Sequence, residues 1–289
     1  MRKMKVGVMI CGLCIFFFGR FVPFAQAEGM KLGVRLAAGI NYLSVGDINK
    51  SLKGQNDYWN NFSKAYGLTL SGEFEKIQFG LDAQADLMIY LTPRFGISLG
   101  AGYILGKKNT GEVTMTSPSR NISETDENQI SAIPVLVGLF YNLPISSRSR
   151  IFIQAGGGYY LAKYSQSGEF DETGSYNLSE DWTKNATSHS LGFHGGLGLE
   201  FDLARNVAFV IEGYGRYARI SEFKGDWNYK NSFGYSEIGH GSLYYWEWCE
   251  LPTVDMAEEL PSSSDIKNGR EARIDFSGFA VRAGIKIVF

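Results

Sequence analysis

Residues 275–289 read DFSGFAVRAGIKIVF. Phe279, Val281, Ala283, Ile285, Ile287 and Phe289 fall on one face, and Ala280, Arg282, Gly284 and Lys286 on the other. A period of two over this length specifies a strand with one apolar flank and one small or polar flank. Left open in water, such an edge invites aggregation. Pairing it with the first strand of the chain removes the edge and closes a β-barrel.

The same alternation recurs upstream. Over residues 31–43, Leu32, Val34, Leu36, Ala38, Ile40 and Tyr42 alternate with Lys31, Gly33, Arg35, Ala37, Gly39 and Asn41. Further strands are predicted at residues 77–91, 95–107, 133–143, 151–161, 191–201 and 207–217, which with the last makes eight. Pro134 falls near the start of its strand, where a missing donor is tolerated. The connections alternate between long (44–76, 108–129, 165–188, 221–270) and short (92–94, 144–150, 204–206). This predicts an all-β, antiparallel, up-and-down transmembrane β-barrel of eight strands, with long extracellular loops and short periplasmic turns. A secreted soluble β-sandwich is the alternative, but it gives no reason for connection lengths to alternate. Within the first long connection, Tyr58, Phe62 and Tyr66 recur every four residues, the spacing of a short helix over 56–67.

The N-terminus has Arg2, Lys3 and Lys5, an apolar run from Val6 to Phe18, then Ala25-Gln26-Ala27. This is the order of a cleavable export signal, residues 1–27. The run is too short for a spanning helix of roughly 20 residues. One mature domain, residues 28–289, is expected. Cys249 is its one cysteine, so no intrachain disulfide holds it. It carries 24 basic and 30 acidic residues, and nothing in that balance suggests a nucleic-acid partner.

An export signal, a C-terminal strand of alternating apolar residues and a terminal Phe together resemble the small bacterial outer-membrane β-barrels, such as the outer membrane protein A transmembrane domain and outer membrane protein W. The resemblance implies a bacterial outer-membrane location. It implies that Phe279, Val281, Ala283, Ile285, Ile287 and Phe289 serve as the signal read by the barrel-assembly machinery. It also allows passive passage of small, hydrophobic solutes. No cofactor and no metal site are expected, and the expected state is a monomer contacting outer-membrane lipid and lipopolysaccharide.

Eight strands enclose an interior just wide enough for their own side chains. Arg35, Asp82, Asp86, His194, Glu200, Glu212, Arg216, Arg282 and Lys286 are predicted to face inward. Charges in so narrow a space must pair, and strand order places Arg35 beside Asp86 and Glu212 beside Arg282. Such a lumen reads as a structural plug, with a gated channel as the alternative. His194 and Glu200 are roughly 20 Å apart along one strand, too far to act together.

Outer-membrane enzymes resembling lipid A deacylases carry a His-x-Ser pair with an acidic partner. His240-Gly241-Ser242 has that spacing, with Glu247 and Glu250 nearby, but it falls in the last long connection, where a loop histidine is the simpler account. Counted over residues 43–76, 107–129, 165–188 and 221–271, the long connections hold 12 basic and 23 acidic residues, with Glu169, Asp171, Glu172, Glu180 and Asp181 in the third and Glu258, Glu259 and Asp265 in the fourth. Solvated, self-repelling loops are expected there. Tyr244, Tyr245, Trp246 and Trp248 form an aromatic run that suits a loop-binding platform, a membrane-boundary girdle or an extra strand pair. The function expected from these features is structural or surface-interacting, not enzymatic.

Overall fold

The structure, a computed structural model, describes residues 31–174 and 177–289. The expected export signal, residues 1–27, lies outside the described residues. Among the described residues the elements run β1 (Lys31–Leu43), α1 (Asp47–Tyr66), β2 (Thr69–Glu73), β3 (Phe79–Tyr90), β4 (Phe95–Gly106), β5 (Asn109–Ser117), β6 (Arg120–Pro144), β7 (Ser149–Thr173) and β8 (Leu178–Ala204). The chain continues through β9 (Val207–Tyr217), β10 (Arg219–Ile220), β11 (Lys224–Asn231), β12 (Ser236–Trp248), β13 (Leu251–Ala257), β14 (Ile266–Glu271), β15 (Ile274–Asp275) and β16 (Gly278–Val288).

Antiparallel pairing links β1, β3, β4, β6, β7, β8, β9 and β16 in that order, and β16 returns to β1, so the ring has no free edge. The seam holds register from Gly33 opposite Val288 to Leu43 opposite Gly278, and the Phe289 N–H donates to the Leu32 carbonyl at 2.7 Å. Alternation sorts the two sides of the wall. Leu36, Ile40, Leu81, Leu99, Val137 and Phe193 are exposed on the outside, while Arg35, Asp82, Asp86 and Glu212 are buried inside. The outer face of β16, Phe279 to Phe289, continues the apolar belt. Such a continuous apolar belt is the surface of strands that cross lipid.

At one end the turns are tight. Thr92 Oγ1 accepts from the Phe95 N–H at 3.0 Å and Ser146 Oγ from the Arg148 N–H at 3.2 Å, side-chain bonds that replace ladder partners. At the other end the structure departs from the expected loops. β6, β7 and β8 run for 25, 25 and 27 residues, far beyond the 9–11 or so that cross a bilayer. Thus 108–129 and 165–188 are strands, and 221–270 contributes β11 to β14. The helix is also longer than its aromatic spacing suggested, because Ile48 and Leu52 extend the buried stripe one turn and more toward its start. It ends at Gly67 in the left-handed conformation (φ 63°), the usual stop for a helix.

These outer segments build a second core. Leu43, Val45, Ile48, Leu52, Trp59 and Phe74 pack with Ile122, Ile130, Tyr164, Phe223, Leu243, Val254 and Phe276 beneath and beside α1. Gly54 lets the helix approach β13, since a Cβ there would stand 2.2 Å from the Pro252 carbonyl oxygen. Asp47 ties down the helix start, accepting from the Arg270 guanidinium at 2.6 and 2.8 Å and from the Arg273 N–H at 2.9 Å. Burial alone would raise this carboxyl; the hydrogen bonds from Arg270 and Arg273 outweigh it and hold Asp47 below its ordinary range.

The belt gives a direct test. Leu99 sits mid-strand on the outer face of β4. If lipid covers it, Leu99→Arg destabilises the protein in phospholipid vesicles by about 2–4 kcal/mol, read from urea unfolding; an exposed site in water would change by no more than about 0.5 kcal/mol.

Candidate functional site

Two regions carry the buried polar chemistry: the lumen of the ring and the head above it. In the lumen, every inward charge expected from alternation is buried. Arg35 is the central cation. Its Nη2 lies 2.8 Å from Asp86 Oδ2 and 2.6 Å from Gln154 Oε1, and its Nη1 lies 3.1 Å from Glu212 Oε2. Arg282 Nη1 donates to Asp82 Oδ1 at 3.0 Å and to Gln84 Oε1 at 2.6 Å, and its Nη2 makes a charge contact with Glu212 Oε1 at 2.6 Å, off the hydrogen-bond axis. Arg216 pairs with Asp82, and Lys286 with Glu200. Four cations thus face four anions.

Two of these pairs come from neighbouring strands that the register puts level, and the others reach across the lumen. Arg35 is directly opposite both Asp86 on β3 and Lys286 on β16, and Arg282 is opposite Glu212 on β9. Aromatic faces add to the packing: the Arg282 guanidinium lies 3.7 Å from the Tyr214 ring centre, and His194 stacks on the same ring at 5.6 Å. His194 contacts Tyr214 and stays away from Glu200. Apolar groups close both ends of the charge layer. Met88, Tyr90 and Phe140 cluster toward the short turns, and Ile104, Leu136, Tyr160 and Phe276 belong to the core on the head side. Gln84, Gln154 and Arg150, which sits at the turn-side rim 3.3 Å from Glu200 Oε2 and pairs there with Asp202, were not expected as network members. Gln84 and Gln154 alternate with the outer apolar residues of their strands, so their inward position was readable, but an amide carries no charge to demand a partner.

The head holds a different constellation. On β6, Ile122, Glu124, Asp126, Asn128 and Ile130 all bury the same face. Glu124 accepts from Trp59 Nε1 at 2.6 Å and from Gln55 Nε2 at 2.5 Å, both on α1. Asp126 accepts from Gln166 Nε2 at 2.8 and 3.0 Å and from Asn128 Nδ2 at 3.1 Å. Tyr164 Oη donates to Asn128 Oδ1 at 2.7 Å. Burial, with the neighbouring charge of Asp126 adding to it, pushes the Glu124 carboxyl up to about 7; burial likewise raises Asp126 against the pull of its donors. Sequence reasoning missed this row because three polar residues break the alternation of Ile122 and Ile130.

The remaining expected sites lie on the head's strands. Tyr244, Tyr245, Trp246 and Trp248 belong to β12, which pairs with β13 on one side and β14 on the other. Tyr245 is buried with its ring 4.4 Å from the Arg270 guanidinium, and Trp248 is exposed, 6.5 Å from Tyr58. His240 and Ser242 are also on β12 and not in a loop; His240 Nδ1 lies 2.8 Å from Asp226 Oδ1, with both side chains mostly exposed. The acidic cluster is spread along β7 and β8. Glu172 is buried beside Arg120 at 2.7 Å, Asp181 meets Lys230 at 3.0 Å, and Glu180 accepts from Tyr229 Oη at 2.6 Å. Cross-strand partners take up these three charges, while Glu169 and Asp171 are exposed as expected.

The chain matches the family described as "Outer membrane protein beta-barrel domain" over residues 13–236. No curated protein matches it in sequence. Among solved structures it is similar to the outer membrane protein OprG from Pseudomonas aeruginosa (8% identity, 90% of this chain and 96% of that one, TM-score 0.37). It is also similar to Neisserial surface protein A (11%, 91% and 100%, TM-score 0.37) and to a major outer membrane protein from Thermus thermophilus (12%, 91% and 100%, TM-score 0.36).

Two outcomes follow from the buried charges. Arg35→Met leaves Asp86 and Glu212 without their shared cation and lowers stability by about 3–5 kcal/mol, measured by urea titration in detergent micelles. In the head, Glu124 keeps its proton to about pH 7 when folded, whereas a solvated carboxyl loses it near 4.5. Head stability is therefore greatest below the lower value, falls as pH rises through the window, and levels off above about pH 7. Amide-exchange protection of the β5–β6 hairpin should follow that slope in the native protein and lose it in Glu124→Gln.

Proposed function

This chain belongs to the outer membrane protein β-barrel domain family, and from that premise we propose that it is an eight-stranded transmembrane up-and-down barrel whose lumen is a plug and whose extracellular head does the interacting. The protein is an outer-membrane protein. The observation that carries the proposal is the lumen stack: four buried cations set against four buried anions, between an aromatic layer and an apolar one. A ring of eight strands is the size at which side chains fill the interior, and paired charges packed between apolar layers support a plug over an open pore.

In this reading the ring is an anchor and the head is the working part. The outer belt contacts lipid, and the acidic head stands at the level of lipopolysaccharide. The β16 alternation from Phe279 to Phe289 serves as the recognition strand for barrel assembly. The protein is read as a monomer, and His240, which meets Asp226 with both side chains mostly exposed, is read as one half of a surface pair.

Purified protein in planar bilayers tests the plug. The expected result is no stepwise conductance from the native protein and measurable conductance from Arg35→Ala/Arg282→Ala, which removes the two guanidinium groups at the centre of the stack. Steps in the native protein, or uptake of a small apolar solute by vesicles carrying it, would replace the plug with a passive channel.

A further inference from the structure

The head contains a cavity of about 300 Å³ between α1, β13 and the outer halves of β6, β7 and β8. Its size is that of a small-molecule site. Three tryptophans line it: Trp59 from the helix, Trp182 from β8 and Trp248 from the end of β12. Glu124 and Asp126 line it as well, and among the described residues neither has a basic side chain within salt-bridge distance. Lys184, the cation in the same wall, pairs with Asp255 at 2.6 Å and acts on both carboxyls only through its charge at longer range. Gln166, also in the wall, keeps a buried Oε1 without a donor among the described residues.

We propose that this cavity binds a small organic cation, an alkyl- or arylammonium group, with the ammonium on Glu124 and Asp126 and its hydrocarbon against the tryptophans. The proposal deepens the view of the head as the interacting part of the molecule and rests on it. Three features favour this ligand class over others. Packing alone would be served by apolar side chains between Ile122 and Ile130, so two carboxylates there are costly without a cation to meet them. Indole faces attract an ammonium and hold its carbon chain, which they do for no anion. A divalent metal needs several converging oxygen ligands, and among the described residues no three His, Cys, Asp or Glu side chains converge.

The fold keeps the site open by small means. Gly168 on β7 lets the Trp182 ring lie across the wall, since a Cβ there would stand 2.2 Å from Trp182 Cζ2. Trp59 donates to Glu124 with its indole nitrogen, which fixes the ring beside the carboxylate it would share a ligand with. Tyr58 packs edge-on against Trp59 at 4.8 Å.

The test is isothermal titration of the full chain in detergent micelles at about pH 8, where Glu124 is ionised, with benzylammonium and its neutral isostere benzyl alcohol. Saturable binding of benzylammonium and at least about tenfold weaker binding of benzyl alcohol are expected, the weight of one charge-assisted hydrogen bond. Glu124→Gln should weaken benzylammonium by a similar factor, while Lys184→Met, which removes the competing cation, should tighten it several-fold. Folding of each variant is checked by heat-modifiable gel migration, and should Glu124→Gln not fold, Lys184→Met decides. No saturable binding at about 10 mM, equal binding of the alcohol, or unchanged or weaker binding in Lys184→Met would overturn the proposal. Titration is blind to whether the lumen conducts, so its failure leaves the plug standing.

Discussion

Closure of the ring is the constraint on which everything else depends. Once β16 pairs with β1 along eleven residues, eight strands enclose a narrow interior and every second side chain must fit inside it. Charges there have no water to solvate them, so they are held in a mutual network. Arg35 and Arg282 each reach anions on two different strands, and those cross-lumen bonds fix the cross-section of the ring as firmly as the ladder fixes its perimeter. Glu212, which both guanidinium groups share, is the node at which the two halves of the network meet.

Above the lipid the same strands face the opposite problem. Where lipid surrounds the ring the wall is apolar outside and polar inside; where water surrounds it the order reverses. On β6 the outward residues Val135, Val137 and Leu139 carry the apolar face below, and the inward residues Ile130 and Ile122 carry it above. β7 repeats the change, from outward Ile153 and Leu161 to inward Tyr164 and Phe170. One continuous strand thus serves two solvents by moving its apolar residues from odd to even positions.

That phase change explains what could be read in the sequence. Alternation identified β1, β3, β4 and β9 to within two residues at each end, as at Lys31–Leu43 and Val207–Tyr217, because lipid demands an unbroken apolar flank; in β6, β7 and β8 it marked the lipid-facing halves alone. The lumen charges were legible for the same reason, being the complement of that flank. The outer halves of β6, β7 and β8 were not, since their apolar residues are sparse, shifted in phase and interrupted by Glu, Asp, Asn and Ser. Their backbone is held by long pairing ladders and by α1 pressing from one side, neither of which leaves a periodic trace. The helix was half legible: Tyr58 and Phe62, half-buried against the core, and the exposed Tyr66 mark an aromatic ridge, but the buried Ile48 and Leu52 precede it.

The head's polar row is best understood against this background. Local rules of burial hold nearly everywhere in the chain, and departures from them concentrate where a protein acts. In the lumen the charges cancel in number, and what remains imperfect there, such as the Tyr214 hydroxyl and the His194 Nδ1 without a partner among the described residues, follows from crowding charged groups into a narrow ring. Glu124 and Asp126 differ: they lie in the apolar face of β6 where water, not lipid, is outside, and although Glu124 takes the Trp59 and Gln55 donors of α1, a neutral acceptor would serve that tie as well. They take neutral donors from Trp59, Gln55, Gln166 and Asn128, which position the carboxylates without neutralising them. A negative potential is thereby held beside indole faces in a cavity on the side of the molecule that meets the surroundings, and its magnitude is set by how far burial raises each carboxyl before a cation arrives.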